Sequence, residues 1–81
     1  MSSDVRLEFA DFLERLADGR GVCSSIEWGK FIVGHYRDQE VEEIRRSVAR
    51  LGISWAFREW PDLNLELLRK WSIQLRRSSV P

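Results

Sequence analysis

Cys23 and His35 are the natural starting point for any chemistry in this chain, because each is the one residue of its kind among 81. A cysteine within hydrogen-bond reach of a histidine forms a nucleophile and its base. The two are joined by "SSIEWGKFIVGHYRD", residues 24–38, whose opening Ser24, Ser25, Ile26 and Glu27 read as a capping box. A helix over about 25–36 is therefore expected. Ten residues of helix at about 1.5 Å each would hold Cys23 and His35 roughly 15 Å apart, so that helix keeps them from pairing. On the helical wheel His35 falls beside Phe31 and Trp28, and the expectation is a hydrogen-bonded structural histidine in apolar surroundings. One Cys and one His also fall short of the four ligands that structural zinc requires. No catalytic residue, metal ligand or cofactor is assigned.

The stretch "DGRGVCSS", residues 18–25, has two readings. Arg20, Ser24 and Ser25 before a helix N-terminus form a candidate anion site, since the free N–H groups there attract phosphate or carboxylate. The other reading is a helix stop at Gly19 or Gly21 followed by the capping box. A dinucleotide fingerprint is excluded, because the third glycine is missing and a helix stands where a strand is required.

Arg69, Lys70, Arg76 and Arg77 near the C-terminus are candidate nucleic-acid contacts. Basic residues there also complement the helix macrodipole. Glu40, Glu42 and Glu43 at the start of the third helix would point at the groove in a helix-turn-helix, so that helix is a poor recognition helix.

A chain this short supports one domain, residues 1–81, in which every large side chain matters to the core. The single cysteine forms no internal disulfide and suits a reducing, cytoplasmic setting. The N-terminus "MSSDVRLEFADF" is acidic where a signal peptide would be basic, and no apolar run approaches the roughly 18 residues of a membrane span, so no membrane contact is expected. Thirteen bases and thirteen acids cancel, but unevenly. Residues 1–44 hold ten acids and five bases, while residues 45–81 hold three acids and eight bases. Halves of −5 and +5 must either pack on each other or meet between copies.

The elements follow from apolar spacing. Val5, Phe9, Phe12, Leu13 and Leu16 make one face of a helix over 4–18. The second helix, 25–36, is apolar over more than half its circumference, with Gly29 expected to admit a close neighbour. Asp38 caps a third helix, 39–51, with the stripe Val41, Ile44, Val48 and Leu51 and a Glu42–Arg46 pair outside; Gly52 is expected to end it. Residues 54–60 read as a short helix or turn. A last helix over 63–77 buries Leu65, Leu67, Leu68, Trp71 and Leu75, with Leu63 stapled on Leu68 and Ile73 alone among cations; 79–81 form a loose tail. The fold expected is an all-α compact bundle of four main helices, against an α+β alternative with strands at 30–37 and 53–60.

Four Trp, four Phe and one Tyr are many rings for so small a bundle to cover. Trp55, Phe57 and Trp60 on the connector, with Ile73, are the candidate interface. The function expected is a non-enzymatic protein–protein interaction module whose partner is a second copy (a homodimer) or another protein. The alternatives are a nucleic-acid-binding accessory protein and a small-ligand or anion binder at the 19–25 loop.

Overall fold

The computed structural model describes residues 4–55 and 58–78, with the side chains of Asp4 and of residues 53–55 left aside. The fold is all-α. Helix α1 (Asp4–Asp18) is followed by the short α2 (Ser25–Trp28), which runs directly into a π-helical segment (Gly29–Val33); α3 (Gln39–Trp55) and α4 (Asp62–Ser78) complete it. No described residue lies in a strand, so the α+β alternative falls. The radius of gyration, 11.8 Å, matches the value of about 12 Å for a folded chain of this length.

α1 is the central element. Its periodic apolar residues Phe9, Phe12, Leu13 and Leu16 are at most 1% exposed, and so are Ala10 and Ala17 between them. Two small residues let α4 approach closely: the Ser72 hydroxyl, itself fully buried, donates to the Ala10 carbonyl at 3.0 Å. On another side Phe12 stacks on Phe31 at 4.6 Å between centroids, while Phe9 meets Tyr36 edge-on at 5.4 Å. Val41, Ile44 and Val48 of α3 and Leu65, Leu68 and Leu75 of α4 close the core.

The end of α1 is a Schellman motif, in which Gly21 N–H bonds the Leu16 carbonyl at 2.8 Å and Arg20 N–H bonds that of Ala17 at 3.0 Å. The left-handed position falls on Arg20, at φ 57°, with Gly21 at φ 88° beyond it. Gly21 is required twice over, since a Cβ there would also lie inside the Trp60 ring, 2.7 Å from Cδ2.

Several boundaries depart from expectation. The second helix stops at Val33 instead of 36, because Gly34 takes an extended conformation (φ −78°, ψ 173°). Its two inward residues, Phe31 and Ile32, are adjacent in sequence, and the wide π turn buries both. Gly52 does not end α3; the helix continues through it to Trp55, and glycine is needed because the Trp28 indole lies where its Cβ would be. Gly29, expected at the close approach, has open space on that side. Asp38 caps α3 as expected, its Oδ1 accepting from the N–H groups of Glu40 at 3.1 Å and Val41 at 3.3 Å. α4 starts at Asp62, with the Pro61 carbonyl accepting from Asn64 N–H at 2.9 Å, and Leu63 is exposed instead of stapled. In the expected 54–60 turn, 56 and 57 lie outside the described residues, as does the tail 79–81.

Candidate functional site

The candidate anion site is not drawn together. The Arg20 side chain turns to Glu59, at 3.2 Å, and its carbonyl accepts from Trp60 N–H at 2.9 Å. Ser24 Oγ accepts from Glu27 N–H at 3.1 Å, which completes half of the capping box; the Glu27 carboxylate goes instead to Arg15 at 3.0 Å. Ser25 is exposed. Cys23 is half-buried among apolar neighbours, and burial, with the Glu27 charge second, raises its thiol pKa above the ordinary value. A thiol held in its neutral form is a poor nucleophile.

His35 is corrected from a core residue to a surface one, its side chain 81% exposed. It lies past the helix end, beside a polar cluster anchored by Arg45, which spacing alone did not single out. Arg45 falls inside the Val41, Ile44 and Val48 stripe and is 7% exposed. Its Nε and Nη2 donate to the two Glu42 oxygens at 2.9 and 2.6 Å, and its Nη1 donates to the Ile32 carbonyl at 2.9 Å. Glu42 also accepts from Tyr36 N–H at 2.9 Å and from Arg46 at 3.2 Å. Held mainly by Arg45 and then by the Tyr36 amide, the Glu42 carboxyl titrates well below the usual carboxylate range. His35 Nδ1 lies 3.3 Å from Arg45 Nη2 and 3.2 Å from Glu42 Oε2, so it accepts from the first when it is bare and donates to the second when it carries a proton. This arrangement ties the 34–38 loop and the end of the π-helical segment to α3.

The four basic residues of α4 divide into two pairs. Arg76 binds Asp11 and Glu14, the latter at 3.0 Å, and Arg69 reaches Asp18 at 3.7 Å. Lys70 and Arg77 point outward and are ion-paired to no described residue. Through Arg69 and Arg76 the acidic and basic halves of the sequence meet within one chain, while Arg6, on Asp38 at 2.6 Å and Glu40 at 3.4 Å, pairs inside the acidic half.

The candidate interface also divides. Trp60 is 3% exposed and seated in the core, a correction to its expected exposure on the connector. The Trp55 side chain and Phe57 lie outside the described residues. Ile73 is exposed, as expected. The aromatic surplus is largely absorbed, with Phe31 in the core and Trp28, Tyr36 and Trp71 packed against it. What the described surface shows instead is aliphatic: Val22, Ile26, Val33, Leu63 and Ile73 are each more than half exposed, and Leu7 somewhat less.

The architecture thus defines a small all-α protein with a dense aromatic and aliphatic core and exposed aliphatic side chains on its short and last helices. Comparison with known proteins gives no match: no family model, curated protein or solved structure aligns with this chain.

Proposed function

We propose that this chain is a non-enzymatic protein–protein interaction module that presents aliphatic residues from a rigid helical frame. The observation carrying the reading is the exposure of Ile26 (81%), Val33 (68%), Leu63 (73%) and Ile73 (53%) on helices whose opposite sides are core. Isolated exposed aliphatics are ordinary on a protein surface. Here they recur in two places, on the 25–33 segment and on α4, and each is an apolar site that a partner would cover.

A homodimer is one form of this module, though its electrostatic motive is reduced by the pairing of acids and bases inside one chain. Light scattering after size exclusion separates the cases. A mass of one chain at low and high salt points to a different partner, and a mass of two chains makes the partner a second copy. Photo-crosslinking residues placed at 26, 33, 63 and 73 in the living cell test the reading itself. A defined protein adduct from at least one position is expected. Absence of adducts at all four, or adducts with nucleic acid alone, would overturn it.

A further inference from the structure

On a helix surface a residue is adjoined by those at i−4, i−3, i+3 and i+4. For Ile73 these are Arg69, Lys70, Arg76 and Arg77, so the one exposed aliphatic in the second half of α4 is enclosed by four cations. The ring is not uniform. On the α1 side Arg69 and Arg76 are held by Asp18, Asp11 and Glu14; on the far side Lys70 and Arg77 are exposed with no ion pair among the described residues. Beside Ile73, between α1 and α4, lies a notch of about 320 Å³ lined by Glu14, Asp18, Arg69 and Ile73.

From the ring and the notch we infer that the outer face of α4 docks an acidic peptide segment of another protein, an inference that rests on the interaction reading above. An aliphatic side chain of the partner packs on Ile73 at the edge of the notch, whose other lining residues, Glu14, Asp18 and Arg69, are charged, and its carboxylates lie on Lys70 and Arg77. An apolar centre with a charged rim is the usual anatomy of a protein contact. The asymmetry of the ring orients the partner, because Glu14 and Asp18 repel its acids from the α1 side and the two unpaired cations draw them to the other. A second copy placing the same face against this one fits less well, since Asp11, Glu14 and Asp18 are already bound to α4 of their own chain. Nucleic acid would use Lys70 and Arg77 but leave Ile73 and the notch without a complement.

The test is an NMR titration of the full chain with a synthetic helical peptide carrying Leu at i and i+4 among glutamates. Expected are amide shifts confined to the Glu66–Arg77 stretch and its α1 border, and affinity that falls with salt. Ile73→Asp should weaken binding about tenfold or more, the cost of losing one good apolar contact. Lys70→Glu with Arg77→Glu should abolish it, and Lys70→Arg should retain it. All four substitutions are at exposed positions, so unchanged thermal unfolding would show that the fold is intact in each variant. An absence of shifts, or shifts at Ile26 and Val33 with α4 silent, would overturn this docking face while leaving the interaction reading to the crosslinking result. Tighter binding of an oligonucleotide than of the peptide, indifferent to Ile73→Asp, would overturn the acidic-peptide assignment; crosslinks to nucleic acid alone would overturn both.

Discussion

Arg45 Nη1 donates to the Ile32 carbonyl at 2.9 Å, and this bond ties the end of the π-helical segment to the middle of α3. The carbonyl belongs to a segment whose helix stops at Val33, so it needs a donor from elsewhere. The same guanidinium neutralises Glu42, which in turn holds the Tyr36 amide. Arg45→Ala strips the Ile32 carbonyl of its side-chain donor and Glu42 of its main partner, and should cost about 1–3 kcal/mol, the range for leaving a buried acceptor unsatisfied. For a domain of this size that lowers Tm by roughly 5–20 °C. The double variant Arg45→Met with Glu42→Gln should recover more than half of the loss, since neither charge is then left alone. Thermal unfolding of the single and double variants measures the coupling, and strictly additive losses would refute it.

Acid should weaken the same region. Arg45 and the Tyr36 amide lower the Glu42 pKa, and Arg6, with the Val41 and Glu40 amides, lowers that of Asp38. In the unfolded chain the two carboxyls titrate near about 4.3 and 3.9. Each therefore binds a proton more readily unfolded than folded. Their contribution is fully present above those values and is lost as pH falls through the depressed folded ones. Tm should be flat from neutral pH to about pH 5 and decline below it. Glu42→Gln should start from a lower Tm and decline less steeply, and a decline as steep as in the unsubstituted chain would show that Glu42 does not contribute.

Gly52 and Gly29 make opposite predictions. A Cβ at Gly52 overlaps the Trp28 indole, so Gly52→Ala should cost about 1–3 kcal/mol by overpacking. In a Trp28→Leu background the clash is relieved, and the same substitution should cost little. Gly29 has helical φ and ψ (−61°, −40°) and nothing near its Cβ position, so Gly29→Ala should add up to about 1 kcal/mol. Denaturant unfolding of the four variants, Trp28→Leu included, reads all of this, and a neutral Gly52→Ala would mean that the indole is not held against α3.

These two glycines show what was legible in the sequence and what was not. The apolar spacing of α1, the Asp38 cap and the stripe of α3 are local patterns, and each was readable from neighbours within a turn or two. Whether Gly29 or Gly52 meets a ring depends on which helix lies opposite. Arg45 falls on the apolar stripe of α3 by spacing, but its acceptor on Ile32 exists only where the second helix widens and stops. The wheel puts His35 on the second helix, and Gly34 ends that helix one residue before it. In α4 the cations around Ile73 were visible as spacing, but their division into a paired and an unpaired set required the acids of α1 to be placed alongside.

Arg20 occupies the left-handed position that glycine usually fills, at a cost of roughly 1 kcal/mol. Its ion pair with Glu59 is largely exposed and returns little of this. Arg20→Gly should therefore be neutral to stabilising, by up to about 1 kcal/mol. Gly21→Ala should destabilise by more than that, since it adds a strained φ to a clash with Trp60. A destabilising Arg20→Gly would assign the Arg20 side chain a larger part in holding the 58–60 segment than its two exposed pairs, to Glu59 and Asp62, imply.

The reactivity of Cys23 discriminates between the module and any reading that gives this chain a nucleophile. Burial, with Glu27 adding to it, raises the thiol pKa above its ordinary value. The thiolate fraction at neutral pH is correspondingly small, and the residue's half-buried position slows the approach of a reagent. Cys23 should react with an aromatic disulfide more slowly than a free cysteine at pH 7.5, with a rate still climbing past pH 9. Unfolding the chain should accelerate the reaction, because it restores both exposure and an ordinary pKa. Glu27→Gln should quicken it modestly in the folded protein by removing the lesser of the two causes. A rate faster than free cysteine, saturating below neutral pH, would indicate an activated thiolate and would reopen the 19–25 loop as a reactive site.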